Sequence, residues 1–295
     1  MSGWTLGVIG GSGLYEIEGL ANARWTRVES AYGEPSDELL IGELGDVRLV
    51  FLPRHGRGHR LPPTHVNPRA NIEALKKAGC TDVLSLSAVG SLREDLPPGT
   101  FVMVDQFVDR TVARESSFFG PGLAAHVSMA DPVCPRLSGL SAEAGRAVGA
   151  PVREGATYLA MEGPQFSTRA ESAIWRQYGC DVIGMTNMPE AKLAREAELP
   201  YAVVAMVTDY DCWRDDGGQA EVGDILEVMA QNSALARALV RRLAEILPAD
   251  RAPSPIDTCL DGAIITAPAA RDPAMVAKAA AIVGRALGLP AQGGL

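Results

Sequence analysis

The sequence has no excess of positive charge, few aromatic residues and no long apolar run. Its 295 residues include 27 Lys and Arg against 36 Asp and Glu, which gives a net charge of -9. Proteins that bind nucleic acid or anionic membranes through general electrostatics usually carry the opposite sign. We therefore expect neither nucleic acid nor a membrane as a partner, and any anionic ligand requires a local positive site.

Paired cysteines are also absent, since the five cysteines are odd in number and form no Cys-x-x-Cys motif. A disulfide framework or a structural zinc site is therefore disfavoured, and free buried thiols in a reducing compartment are the simpler interpretation. The N-terminus enters an apolar run at residues 5–9 without the features of a signal peptide, and Lys278 and Arg285 interrupt the most apolar C-terminal segment. We expect a soluble, cytoplasmic protein.

Three common catalytic motifs are missing from the chain. It contains no Gly-x-Ser-x-Gly elbow, no Walker loop and no His-Glu-x-x-His. Serine hydrolase, nucleoside triphosphatase and zinc protease functions are therefore disfavoured.

Short apolar runs alternate with amphipathic stretches along most of the sequence. Residues 6–9, 83–87 and 201–208 are predicted strands, whereas 67–78 and 221–247 are predicted helices with apolar faces. This alternation predicts an α/β fold. Residues 251–295, with a helix predicted near 273–287, form an extension. We expect it to pack on the same domain, because roughly 40 residues are few for independent folding.

The first candidate site is the glycine loop Gly10-Gly11-Ser12-Gly13, which follows the first predicted strand. Small residues let backbone N–H groups approach an anion, and Ser12 adds a hydroxyl donor. A dinucleotide-binding loop would require a glycine where the chain has Glu16. A tight turn without a ligand is equally consistent with this segment.

The second candidate is the basic segment 54–60, which contains Arg54, His55 and His59. In an acidic protein, a cluster of arginine and histidine donors after a strand indicates an anion site. A solvated basic loop remains the alternative.

Two further segments follow predicted strands, and ligands of open α/β sheets bind beyond such strand ends. The run 85–91 ends one strand in small residues, and an ordinary loop exit explains it equally well. In the run 185–190, Thr186 could donate to a phosphate, and Glu190 could suit the helix dipole.

The segment 161–172 combines a capping box with an aromatic side chain. Thr168 and Glu171 have the spacing of a Ser/Thr-x-x-Glu helix cap. Capping does not explain Phe166 on the preceding loop, where an exposed ring could stack on a flat ligand.

Asp209 and Asp211 follow the most apolar predicted strand. Residues two apart in an extended chain share a face, and two like charges can raise the pKa of one carboxyl. The pair could therefore supply a proton donor. A metal site is disfavoured because no histidine or further carboxylate lies at a useful spacing, and a solvated turn remains possible.

Taken together, these segments resemble the methylthioadenosine phosphorylase branch of the trimeric purine nucleoside phosphorylases. The resemblance extends from about Thr5 to Leu247. It depends on the order and identity of six segments, namely 10–13, 54–56, 88–93, 162–172, 185–190 and 208–213. It implies a single α/β domain over 1–295, with a mixed central sheet flanked by helices.

The resemblance also implies the role of each site residue. The phosphate ligands that it implies are Ser12, Arg54, His55, Ser87, Ala88 and Thr186. Some members of the family carry threonine at position 12, and either residue offers a hydroxyl.

For the nucleoside, the resemblance implies that Phe166 stacks on the base with Ser167 beside it, and that Met185 lies under the ribose. Asp209 would face purine N7, and Asp211 would face the exocyclic amino group. Gln165 stands where arginine is common among relatives, and no functional conclusion follows from it.

A pocket for a 5'-methylthio group would be lined by His59, Val222 and Ile225, with His126 from a neighbouring subunit. The implied assembly is a homotrimer, which could pair into a hexamer. Neither a metal nor an organic cofactor is required, since phosphate is the co-substrate.

The activity implied is phosphorolysis of 5'-methylthioadenosine to adenine and 5-methylthioribose 1-phosphate. A phosphorylase for 6-oxopurine nucleosides or methylthioinosine is the nearest alternative, although Asp211 suits an amino group better than a carbonyl. A dinucleotide-dependent oxidoreductase and a non-catalytic protein that shares the fold are the more distant alternatives.

Overall fold

The computed structural model describes residues 3–11, 13–214 and 222–290, without the side chains of 222–226. The strands are β1 (Thr5–Gly10), β2 (Ala21–Thr26), β3 (Leu39–Leu44), β4 (Val47–Pro53), β5 (Asp82–Ser91), β6 (Phe101–Val104), β7 (Gln106–Arg110), β8 (Val152–Glu154), β9 (Thr157–Met161), β10 (Val182–Gly184) and β11 (Tyr201–Tyr210). The helices are α1 (Pro68–Lys77), α2 (Pro135–Ala147), α3 (Arg169–Gln177), α4 (Asn187–Glu196), α5 (Val222–Ile246), α6 (Pro273–Lys278) and α7 (Ala280–Leu287).

The strands form one mixed sheet around β5. On one side of β5, β1 pairs with β5 in parallel and β4 pairs with β1 in parallel. Beyond them, β3 pairs antiparallel with β4, and β2 pairs antiparallel with β3. On β5 itself, β11 pairs in parallel and β10 pairs antiparallel. The predicted single-domain α/β fold with a mixed central sheet is confirmed.

Both faces of the sheet are covered by helices, and alternation along the strands explains why. In β11, Val203 and Ala205 belong to one buried cluster, whereas Ala202 and Val204 belong to a second. The first cluster also contains side chains of α1, α4 and α7, and the second contains side chains of α2 and α5. A strand buried on both faces has a continuous apolar sequence, which matches the run 201–207.

The C-terminal extension is attached to this domain at two places. Arg251 donates to the buried Asp82 carboxylate at the start of β5, with Nε 2.5 Å from Oδ2, and also binds Asp257. Ile282 and Val283 of α7 lie in the same buried cluster as side chains of α1. No helix in the described part of the chain is both long and apolar enough to cross a bilayer.

Two sequence predictions are corrected here. The strand predicted over 83–87 continues to Ser91, so Ser87 and Ala88 lie within β5 and not beyond its end. The single helix predicted near 273–287 is two helices separated at Ala279, whose backbone (φ -88°, ψ 9°) leaves the helical region.

Candidate active site

The site is built on an opening in the sheet beside the middle of β5. The ladder with β1 ends at Ser85, and the antiparallel ladder with β10 involves only Gly90 and Ser91. The backbone of residues 86–89 is therefore available on that side among the described strands. Backbone N–H and C=O groups in such a gap can bind a ligand, because each unpaired group requires a hydrogen-bond partner.

Arg54 enters this opening from the end of β4 and is almost fully buried. Its Nε and Nη2 donate to Glu190 at 3.0 and 3.1 Å, Nη1 donates to the Leu86 carbonyl at 3.0 Å, and Nη2 also donates to Ser85. These bonds account for most of the guanidinium N–H groups. One N–H of Nη1 remains to bind an anion, so Arg54 makes most of its hydrogen bonds within the protein.

Glu190 is a residue whose role sequence reasoning missed. We expected it to suit a helix dipole, but its carboxylate is buried and accepts bonds from Arg54, Ser85 and the Tyr201 hydroxyl. A buried carboxylate requires such donors, because burying an unpaired carboxylate costs on the order of several kcal/mol. The ion pair fixes Arg54 and cancels part of its charge.

Two hydroxyl groups face each other at the opening. Ser87 Oγ of β5 lies 3.2 Å from Thr186 Oγ1, which precedes α4. Ala88 is exposed beside them. The structure thus brings three of the predicted phosphate ligands together. Ser12 lies outside the described residues, although the neighbouring Gly10 carbonyl accepts from the Arg54 backbone N–H at 2.9 Å.

His55 and His59 lie on the loop after β4 with their rings stacked. The centroids are 4.3 Å apart, and the planes differ by 9°. His55 Nδ1 lies 2.8 Å from the Leu61 carbonyl. Burial, followed by the nearby Arg54 charge, lowers the pKa of His55 to about 4, so the ring is neutral at pH 7. A predicted phosphate ligand and a predicted 5'-pocket residue are therefore in contact.

Asp209 and Asp211 lie where β11 ends, and both have a raised pKa. Burial is the largest cause for each; the Asp211 charge is a smaller contribution to the shift of Asp209. The predicted direction was right, but the expected cause, like-charge repulsion, was secondary. Thr208 Oγ1 donates to Asp209 at 2.6 Å and Ser172 Oγ to Asp211 at 2.5 Å, and both bonds oppose the rise.

The predicted stacking residue lies on the loop between β9 and α3. Phe166 is 82% exposed, as expected for a side chain that meets a ligand. The capping box of Thr168 and Glu171 is confirmed at the start of α3. Cys212 Sγ donates to the Ser167 carbonyl at 3.2 Å, which ties this loop to the segment that carries Asp211.

Arg114 connects this loop to the start of α4, and no sequence pattern indicated its role. Its Nη2 donates to the Glu162 carbonyl at 2.6 Å, and its Nη1 donates to the Met185 and Met188 carbonyls at 2.5 and 2.8 Å. The side chain is only 4% exposed. Gly163 lies close by, and a Cβ there would come within 2.5 Å of Met185 Sδ. Arg114 therefore fixes the predicted ribose residue relative to the predicted base loop.

The other predicted 5'-pocket residues are His126, Val222 and Ile225. His126 is exposed on a loop, and its backbone N–H donates to the Ala263 carbonyl at 3.0 Å. Val222 and Ile225 fall at the start of α5, where side chains lie outside the described residues. No cluster of three or more metal-ligating side chains occurs in the ranges that the structure describes.

Comparisons with known proteins show the family of this chain. A model of the phosphorylase superfamily matches residues 5–245. The S-methyl-5'-thioadenosine phosphorylase of Cereibacter sphaeroides is 58% identical over 96% of this chain and 98% of its own. A methylthioadenosine phosphorylase from an Antarctic soil metagenomic library is 43% identical, with a TM-score of 0.90 over 96% of this chain and 99% of its own.

A variant adenosine/methylthioadenosine phosphorylase of Schistosoma mansoni, solved with adenine, is 35% identical, with a TM-score of 0.82 over 90% of this chain and 100% of its own. The family match covers the strands that build the opening beside β5, the Arg54 segment and both aspartates. The chain belongs to the phosphorylase superfamily.

Proposed function

We propose that the protein is a 5'-methylthioadenosine phosphorylase, which converts methylthioadenosine and phosphate to adenine and 5-methylthioribose 1-phosphate. The observation that carries the proposal is the placement of two kinds of group on one pair of strands. Asp209 lies opposite Gly90, three residues along β5 from Ser87. At about 3.3 Å per residue, the proton donor and the hydroxyl pair are about 10 Å apart along the strand. We propose that the nucleoside lies between them.

The chemistry follows from these positions. Cleavage of the glycosidic bond builds positive charge on the sugar and negative charge on the purine. Asp209, with its raised pKa, donates a proton to N7 and makes the purine a better leaving group. Phosphate at Ser87 and Thr186 stabilises the cation and forms the new bond at C1', so catalysis is mainly positioning and electrostatics.

Asp211 determines the choice of base. The bond from Ser172 favours the carboxylate form, which accepts from an exocyclic amino group and repels a carbonyl oxygen. An adenine nucleoside is thus preferred over inosine or methylthioinosine. The names of the relatives and the bound adenine of the Schistosoma enzyme support the same preference.

Further proposals concern the oligomeric state of the enzyme, its need for cofactors and its place in the cell. The enzyme is a homotrimer, or a pair of trimers. His126 of one subunit contacts the 5'-group pocket of its neighbour. It needs no metal or organic cofactor. It acts in purine and methionine salvage in the cytoplasm, where its free thiols stay reduced.

A phosphate-dependent release assay tests the proposal. Methylthioadenosine, adenosine, inosine and methylthioinosine are each incubated with and without phosphate, and the free base is measured. We expect release to require phosphate and to be fastest with methylthioadenosine. Equal rates in phosphate-free buffer would rule out phosphorolysis, and faster release from inosine or methylthioinosine would move those substrates ahead.

Thr186→Val is the best variant for the phosphate site. Arg54→Ala would leave Glu190 buried without its cation, so lost activity could reflect misfolding. Thr186→Val removes one hydroxyl at nearly constant volume. The kcat/KM for phosphate should fall by about 5- to 100-fold, equivalent to about 1–3 kcal/mol.

A further inference from the structure

The His55 loop fixes which nitrogen of the imidazole carries hydrogen. Nδ1 lies 2.8 Å from the Leu61 carbonyl, and a carbonyl oxygen can only accept. Nδ1 is therefore the N–H donor in every protonation state that keeps this bond. In the neutral ring, Nε2 has only a lone pair to offer a ligand.

The ring is held in this orientation from several sides. Leu61 N donates back to the His55 carbonyl at 3.0 Å, which closes a reciprocal pair with the Nδ1 bond. The ring also stacks on His59. The Asp37 carboxylate accepts from the backbone N–H and side chain of Arg57, which anchors the loop between the two histidines. A ring flip that offered Nδ1 to a ligand would break the pair with Leu61.

The charged groups around His55 determine its proton state. Arg54 and His59 disfavour a second proton, whereas the Leu61 bond and Glu190 favour one. Glu190 has little effect because Arg54 pairs with it. Together with burial, these neighbours keep the ring neutral, with a pKa of about 4.

We propose that His55 selects an oxyanion that brings its own proton, because its Nε2 accepts a hydrogen bond from the P–OH group of hydrogenphosphate. The inference depends on the proposed function and on the place among the phosphate ligands that the family resemblance implies for His55. Hydroxyl groups such as those of Ser87 and Thr186 can donate to the unprotonated oxygens. His55 is thus a specificity-determining residue for the co-substrate.

Sulfate is the natural test of this selection. It has the size and shape of hydrogenphosphate but carries no proton at neutral pH, so its oxygen would face the Nε2 lone pair. Sulfate can bind well only if His55 first takes up a proton from solvent. Its affinity is therefore linked to pH, whereas the affinity for hydrogenphosphate is not.

Isothermal titration of the wild-type protein with sodium sulfate and with inorganic phosphate, without nucleoside, measures this difference. Because binding takes up a proton, the sulfate Kd should weaken as the pH rises from about 6 to about 8, by up to about tenfold per pH unit. Between about pH 7.5 and 8.5, where hydrogenphosphate dominates, the phosphate Kd should stay within about twofold. A sulfate Kd that does not change with pH would overturn the proposal.

A variant and a matched control sharpen the test. The amide of His55→Gln can donate to either anion, so the variant should lose the pH dependence for sulfate and discriminate less between the anions. His65→Gln changes an exposed histidine outside the site and should keep the wild-type slope. An unchanged slope in His55→Gln would assign the proton to another group and overturn the proposal.

The proposed function and the proposed role of His55 can be contradicted independently of each other. If phosphate-dependent release is measured but the sulfate Kd is flat with pH, only the role of His55 fails. If neither anion binds and no release requires phosphate, the proposed function fails and the role of His55 fails with it.

Discussion

At the scale of single residues, the two aspartates at the end of β11 differ in which neighbour stabilises their charge. Thr208 donates to Asp209, and Ser172 of α3 donates to Asp211. The two bonds come from different elements, so the two carboxyls can be perturbed one at a time.

Asp211→Asn should change the preferred base. Asparagine can donate as well as accept, so the variant should lose activity on methylthioadenosine and gain relative activity on inosine, a shift of about 1–3 kcal/mol in discrimination. Asp209→Asn should instead slow turnover of every purine nucleoside, because the acid is removed. The measurement is kcat/KM on both substrates. An unchanged substrate ratio in Asp211→Asn would remove the basis for an adenine enzyme.

Thr208→Val should move the pH profile of kcat. Asp209 must be protonated to donate, so the rate falls as the pH rises through its raised pKa. The Thr208 bond stabilises the carboxylate, so its removal raises the pKa further and shifts this alkaline limb to higher pH.

Ser172→Ala is the control for Thr208→Val. It removes a hydroxyl that binds Asp211 and should leave the alkaline limb of kcat where it is. A limb that moves to lower pH in Thr208→Val would show that another group is the acid.

Sequence reasoning proposed polar residues for the site but did not foresee which groups hold them in place. Asp209, Asp211 and Thr186 were predicted because polar residues directly follow apolar strands. The role of Glu190 as a buried partner of Arg54 was not foreseen, because the two residues are 136 positions apart. A contact between residues so far apart in the sequence becomes apparent only in the folded structure.

At the scale of elements, Arg114 joins three segments that approach the site independently. Lysine in its place can reach one carbonyl oxygen but cannot span Glu162, Met185 and Met188. Arg114→Lys should therefore lower kcat/KM for the nucleoside by about 10- to 100-fold, because at least one charge-assisted bond is lost. Steady-state kinetics and the thermal midpoint Tm are measured together.

Arg251→Lys is the matched control for Arg114→Lys. Arg251 also makes several bonds, but it lies at the start of β5, away from the opening. The control should lower Tm and leave kcat/KM unchanged. If both variants change kcat/KM in proportion to Tm, then Arg114 has only a structural role.

The elements that the sequence predicted are those with strong patterns. Strands β1 and β11 contain the apolar runs 6–9 and 201–207, and α1 has an apolar face and is followed by Gly79. Strand β2 was missed because most of its residues are exposed. Helix α2 was missed because Cys134 gives no side-chain cap and Gly139 and Gly145 lower helix propensity. Tertiary packing, and not a local sequence pattern, determines that β2 and α2 form.

At the scale of the whole molecule, the exposed position of His126 fits a site shared between subunits. Co-expressed His126→Ala and Asp209→Asn chains should assemble into mixed trimers. Random assembly gives about a quarter of the sites both wild-type residues, if each site combines two chains. Activity at low methylthioadenosine concentration should exceed that of either parent variant. A fully active monomer, or no recovery in the mixed trimers, would contradict a shared site.

The packing of α7 against α1 has a consequence for synthesis of the chain on the ribosome. Helix α1 is complete at Lys77, but α7 begins only at Ala280, about two hundred residues later. At about 5–20 residues per second, this delay lasts about 10–40 seconds. Throughout it, the part of α1 that α7 will cover has no partner from that helix. The last step in closing this core therefore waits until α7 has been synthesised, and nascent chains that terminate before residue 280 present an apolar surface to chaperones and proteases.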